Sequence, residues 1–255
     1  FIYTVPAGVT ELGVYMEGGG GSGGAAAGIT SNYGVRATGG AAGYGKNIIL
    51  NVTPGQEIPI VVGAGGTRVS ASSNSANGNA GGSTSFNGVV VDGGGGGKSS
   101  RGATSSTLSG AIGGQGSKSL NGLYADEPID NLPPYGSTLT TTSTSDSSGH
   151  TVPNTTAQIP AESQNAFDPL MVTLCAGGYA TYASTSGNIK IKETVPAMPD
   201  GTKGGSGLCF ENTTYADDAS GNGNGGGAIV TASGTATSGA GSPGMVLIYK
   251  RGGVV

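Results

Sequence analysis

The sequence predicts an all-β, irregular fold: a small sandwich-like framework of short strands, glycine runs packed as polyglycine-II-like helices, long surface loops and almost no helix. Three observations carry this prediction. Glycine fills 53 of 255 positions, and each interior glycine weakens an α-helix by about 1 kcal/mol relative to alanine. Apolar stretches with strand character recur only as short segments bounded by turn residues. Leu, Ile, Val and Phe together fill fewer than a fifth of the chain, too little for an ordinary side-chain core.

The strand-like segments are read in order. Thr4-Val5-Pro6-Ala7-Gly8-Val9 leads into Glu11-Leu12-Gly13-Val14-Tyr15-Met16. Asn47-Ile48-Ile49-Leu50-Asn51-Val52 and Glu57-Ile58-Pro59-Ile60-Val61-Val62 flank Thr53-Pro54-Gly55-Gln56. Proline second and glycine third in that tetrapeptide are the preference of a type II turn, and the two runs are expected to form a hairpin. Asn87-Gly88 before Val89-Val90-Val91 marks another turn and strand. Met245-Val246-Leu247-Ile248-Tyr249 is the last strand, expected to be central and to pair with Leu12 to Met16.

Between the strands, glycine runs alternate with polar segments. The runs are Gly18 to Gly28, Gly39 to Gly45, Gly63 to Gly66, Gly93 to Gly97, Gly113 to Gly116, Gly177-Gly178, Gly204 to Gly207 and Gly221 to Gly227. Flexible linkers are the simplest use of such runs, but eight linkers inside one strand framework would be an odd construction. The alternative is the polyproline-II conformation, with three residues per turn and no internal hydrogen bonds. Lacking side chains, such helices approach closely enough to bond backbone to backbone, so the interior becomes main chain. Glycine is entropically costly to order, so many helices must pack together, with the loops emerging at the bundle ends. The chain reads as a single domain, 1–255, with long loop insertions at about 120–168 and 179–203, and as part of a longer or processed polypeptide.

Net charge is −4 with only 11 basic residues, which argues against nucleic-acid binding. No apolar run reaches the length of a membrane span, so no membrane insertion is expected. Cys175 and Cys209 could form one bridge or remain two thiols, and no metal-ligand spacing or cofactor motif is present.

The order of blocks resembles a known family. Tyr3 to Thr10, Leu12-Gly13-Val14 and Gly18 to Gly21 resemble the opening of the glycine-rich domain of bacteriophage tail-fibre and adhesin proteins. Val52 to Gln56 with Val61 to Gly66 resembles its central hairpin. Gly81 to Phe86, Val89 to Val91 and Gly93 to Gly97 resemble its next block, and Gly241 to Tyr249 its closing strand. The resemblance implies a virion-borne, extracellular receptor-binding module at a fibre tip, contacting a host cell-surface receptor, protein or glycan, through variable distal loops. Its other implied partners are virion fibre proteins, with a homotrimer as one assembly. A purely structural fibre or surface-filament module is the alternative. A similar fold in animal receptor-kinase ectodomains gives a third, an extracellular ligand-binding domain.

No enzyme is expected. Gly20-Gly21-Ser22-Gly23-Gly24 has the form of a nucleophile elbow, but that motif needs a helix and a histidine partner, and the one histidine, His150, lies in a Ser/Thr tract. Asp218, Ser220, Asn222 and Gly223 start a calcium-loop pattern that ends on Ile229 instead of a bidentate glutamate. Asp126, Glu127 and Asp130 cluster in a proline-containing loop and read as solvated charge. The sequons at Asn51, Asn154 and Asn212 are expected by chance in a threonine-rich chain. Tyr3, Tyr15 and Tyr249 fall in or beside strands and read as structural. Tyr33, Tyr124, Tyr135, Tyr179, Tyr182 and Tyr215 fall in the variable segments and are the candidate receptor contacts, because tyrosine offers a large contact area at low entropic cost.

Overall fold

The computed structural model describes residues 1–28, 33–37, 39–40, 43, 45–103, 142–145, 151–154, 181–183, 191–193, 203–205, 207–210 and 214–250. Among them every regular element is a strand, and the strands gather into several small sheets.

Two of those sheets make a sandwich. One contains, in spatial order, β1 (Ile2–Thr4), β6 (Glu57–Val61), β9 (Thr84–Phe86) and β10 (Val89–Val91). The other places β2 (Glu11–Glu17) between β20 (Met245–Lys250) and β5 (Gly45–Asn51), all antiparallel. Alternation along β2 sends Leu12, Val14 and Met16 inward, where they meet Val5, Ile48, Ile58, Phe86 and Val91. Tyr3 packs against this core, its ring 6.4 Å from that of Phe86. On the opposite face of β2, the Tyr249 side chain lies in the space above Gly13 that a Cβ would fill.

The N- and C-terminal strands pair as expected, Val14 opposite Ile248, but the centre of the sheet is β2 and β20 lies at its edge. The expected hairpin of β5 and β6 is corrected as well. The turn forms, with Gln56 N–H bonded to Thr53 C=O at 2.9 Å and Gly55 at φ 81°. Its flanking strands then diverge into opposite sheets. The cause is the chain from Val5 to Thr10, which crosses between them. Val5 donates to Gln56 and Gly55 to Val5, while Val52 donates to Thr10. Asn87-Gly88, by contrast, closes a two-residue hairpin with φ 50° and 78°, the left-handed pair of a type I′ turn.

Beyond the sandwich the main chain itself becomes the core. Residues 18–24 run down its middle. Gly19 and Ser22 donate to Gly82 and Asn79, and Gly20 and Gly23 to Ser242 and Gly239, at 2.9–3.0 Å. In return Gly94 and Gly97 donate to Gly19 and Ser22, Gly226 and Ile229 to Gly21 and Gly24, and Gly66 to Gly20, at 2.8–3.1 Å. Each of the paired neighbours is met once every three residues, which is the period of polyproline II and of neither strand nor α-helix. A sixth neighbour, Gly40 with Gly43, lies against the carbonyls of Gly21 and Gly18. Five main-chain links run around the six: 63–66 bonds to 78–82, 78–82 to 93–97, Gly40 and Gly43 to 223–227, 223–227 to 239–242, and 239–242 to 63–66. Segments 93–97 and 39–43 continue into paired strands, β11 (Ser99–Ala103) and β4 (Tyr33–Ala37). Segments 63–66, 93–97 and 223–227 run with the central one and the other three run against it, in alternation. A central segment has no solvent to satisfy its amides, so these main-chain bonds to its neighbours are what make a glycine interior possible.

At the far end of the bundle the same seven segments become strands stacked in three layers. The middle layer orders β15 (Ile191–Glu193), β16 (Gly207–Phe210), β18 (Ile229–Thr231), β3 (Ala25–Ala27) and β8 (Ser75–Ala76). One outer layer is β11-β4-β14 (β14, Thr181–Ala183); the other is β17 (Thr214–Tyr215), β19 (Thr235–Thr237) and β7 (Ser70–Ser72). The middle strand β3 is three alanines, each fully buried, and Ala71, Ala216, Ala236 and Ile229 pack around it. Strand β12 (Thr142–Ser145) pairs antiparallel with β13 (Thr151–Asn154), and β13 lies near β14.

Candidate functional site

Strand directions define two ends. The sandwich end is closed by tight turns. At the other end four connections open: between β3 and β4, after β11, between β14 and β15, and between β16 and β17. Strand β15 itself runs toward the sandwich. Of the inserted segments, 179–203 contributes β14 to one outer layer and β15 to the middle one.

The candidate tyrosines divide accordingly. Tyr124, Tyr135 and Tyr179 lie outside the described residues. Tyr33 opens β4 opposite Ala103, and Tyr182 sits in β14 opposite Arg36, so the backbone brings these two into one layer at the far end. Tyr215 belongs to the opposite outer layer, beside Thr237 in register, and is 58% exposed. Among the described residues, the other large apolar side chains that stand exposed, Phe1, Ile2, Ile49, Val61 and Val90, lie at the sandwich end.

Tyr215 borders a face that its residue type alone did not signal. Ser70 and Ser72 alternate outward on β7, and Thr235 and Thr237 on β19, with Ala71 and Ala236 turned inward. Ser70 bonds to Thr237 at 2.9 Å and Ser72 to Thr235 at 2.8 Å. The legible signal was the alternation Ser-Ala-Ser and Thr-Ala-Thr. On the bundle side of this face, Arg68 binds the Asp218 carboxylate with two nitrogens, at 3.0 and 2.5 Å, and Asp218 also accepts the Ala240 amide at 2.7 Å. Those hydrogen bonds, Arg68's first, hold the Asp218 carboxyl below the usual range, and the same bond raises the Arg68 guanidinium above its own.

The motif residues are also placed. Ser22 is fully buried in the central segment, where its hydroxyl accepts the Asn79 amide at 2.8 Å, so the elbow-like string is a piece of the glycine bundle. Asp218 is engaged as described, and Ser220 bonds to the Lys203 main chain. His150, Cys175 and the Asp126, Glu127 and Asp130 cluster lie outside the described residues; of Cys209 the structure describes the backbone, in β16. Among the described residues no group of three or more His, Cys, Asp and Glu is placed to hold a metal ion. Tyr15 and Glu17 form a buried pair, the phenol donating to Oε1 at 2.6 Å; burial, and then the carboxylate, push the phenol well above its ordinary range.

A seven-segment main-chain lattice between a side-chain sandwich and an alanine-cored stack of sheets defines a class: an all-β domain whose interior is built from glycine. The chain belongs to the glycine-rich domain family, whose model matches residues 1–251. No curated protein matches it.

Proposed function

We propose that the domain is an attachment module of the phage tail-fibre type, which carries variable segments on a rigid glycine scaffold to a host cell-surface partner. The observation that carries this reading is the polarity of the molecule. Four connections, after β3, β11, β14 and β16, leave the framework at the end opposite the sandwich. The glycine bundle has little chemistry to offer a partner, because its main-chain groups bond one another and most of its residues lack a side chain. The segments at the far end contain the residues that recognition loops use, and Tyr215 supplies an exposed aromatic beside them. The sandwich end, with Ile2, Val61 and Val90 exposed on one sheet, suits contact with other fibre proteins. That apolar face is also what the purely structural reading would use.

The test is binding of the fluorescently labelled domain to candidate host cells. Replacing Tyr33, Tyr182 and Tyr215 together by alanine should lower cell binding at least tenfold, about 1.4 kcal/mol, with the unfolding midpoint nearly unchanged. Undiminished binding by that variant, and by one in which Tyr124, Tyr135 and Tyr179 are replaced, would favour the structural reading.

A further inference from the structure

We infer that, within the described framework, Asn87 is the site of spontaneous deamidation, and that the glycine bundle shields the other Asn-Gly pairs from the same reaction. Such pairs occur in the described residues at 77–78, 87–88, 222–223 and 224–225. In each, the glycine nitrogen can attack the asparagine side-chain carbonyl, since no Cβ obstructs its approach. A bond forms from that nitrogen to Cγ, the bond from Cγ to Nδ2 breaks, and ammonia leaves with the amide proton. Water then opens the cyclic imide at either carbonyl, giving aspartate or isoaspartate. The step needs a glycine N–H that can give up its proton and an asparagine side chain free to turn onto it.

Three of the four sites are held. At Asn77, Oδ1 accepts the Ser99 amide at 2.8 Å, and Gly78 N–H is committed to Gly97 at 2.8 Å. At Asn222, Gly223 N–H bonds to Pro243 at 2.6 Å and Nδ2 rests on the Met245 sulfur at 3.4 Å. Asn224 is 1% exposed, its Nδ2 bonded to the Ser220 carbonyl at 2.7 Å. The bonds at Gly78 and Gly223 belong to the lattice itself, so the packing that lets glycine form a core also withholds the reactive amide. Asn87 is different. It is exposed at the tip of the hairpin joining β9 to β10, and nothing lies within 4 Å of the Cβ position of Gly88. Among the described residues, the Gly88 amide makes no hydrogen bond. The isoaspartyl product would add one methylene to the main chain of a two-residue loop that sets Phe86 opposite Val89.

The experiment incubates the whole chain at mildly alkaline pH and follows each Asn-Gly peptide by mass spectrometry, with a parallel sample in denaturant. In denaturant the four peptides should react at similar rates. In the folded protein, Asn87 should convert at least about tenfold faster than Asn77, Asn222 and Asn224, because those three must first open locally. The variant Asn87→Gly, which keeps a turn-compatible residue, should fold and leave the framework without a fast site. The inference is overturned if any of the three bundle asparagines converts as fast as Asn87 in the folded protein, or if Asn87 is as slow as they are.

Discussion

Replacing Gly20 by alanine probes the glycine lattice at its centre. A Cβ there would overlap the main-chain carbonyl of Asn224, and the Gly223 carbonyl oxygen is also close, so no flexible side chain is available to move aside. Gly20 also donates to Ser242 at 2.9 Å and accepts from Gly66 at 2.8 Å, with its backbone fully enclosed. Overpacking a filled core costs about 1–3 kcal/mol. Each buried hydrogen bond that is stretched open adds about 1–3 kcal/mol for the group left unsatisfied. Against this, alanine gains only about 0.4–1 kcal/mol by restricting the unfolded chain. The net expectation is a loss of about 3–5 kcal/mol, which is exceptional for adding one methyl group. The comparison is Gly55→Ala, at a turn with φ 81° and no atom within 4 Å of the added Cβ. There only left-handed strain acts, about 1–2 kcal/mol. Denaturant unfolding of both variants measures the difference. If Gly20→Ala loses no more stability than Gly55→Ala, the bundle does not pack main chain against main chain as described.

Three further outcomes follow from other parts of the molecule. Ala26 is fully buried between two outer layers; Ala26→Leu should destabilise by about 1–3 kcal/mol, read from the same unfolding curves, while an equal or higher midpoint would mean that the layers have room to separate. The Tyr15 phenol is raised by burial; the folded state therefore keeps its proton where the unfolded chain, with a phenol near pKa 10, gives it up. Stability from this group is complete below pH about 10 and falls as pH rises beyond it, so Tyr15→Phe should flatten the alkaline decline relative to the parent. Asp218 is held low by Arg68; its contribution is present above the usual carboxylate range, near pH 4, and is lost as pH falls through the folded value. Because the pair is nearly half exposed, Asp218→Asn should cost less than about 1 kcal/mol at neutral pH, and less still in high salt.

The class of fold could be read from residue types, because its causes are local. Glycine excludes helix and permits close main-chain approach wherever it stands, Asn87-Gly88 demands a left-handed turn, and the alternation of Leu12, Val14 and Met16 marks one face of a strand. The set of segments around the centre could not be read so directly. Segments 78–82 and 239–242 belong to it, yet alanine, asparagine and serine break their glycines. What matters is glycine at every third place, as at Gly78 and Gly81, which face Ser22 and Gly19; the intervening residues point elsewhere and are free to vary. The partnering of β5 and β6 was likewise out of reach, since a turn fixes the path of the chain through five residues and not which sheet each strand then joins. Among the tyrosines, residue type marked Tyr215 as a surface candidate. Only the fold placed it beside Thr237, with Ser70 on the next strand across, because strands far apart in sequence meet through main-chain bonds whose partners no single segment encodes.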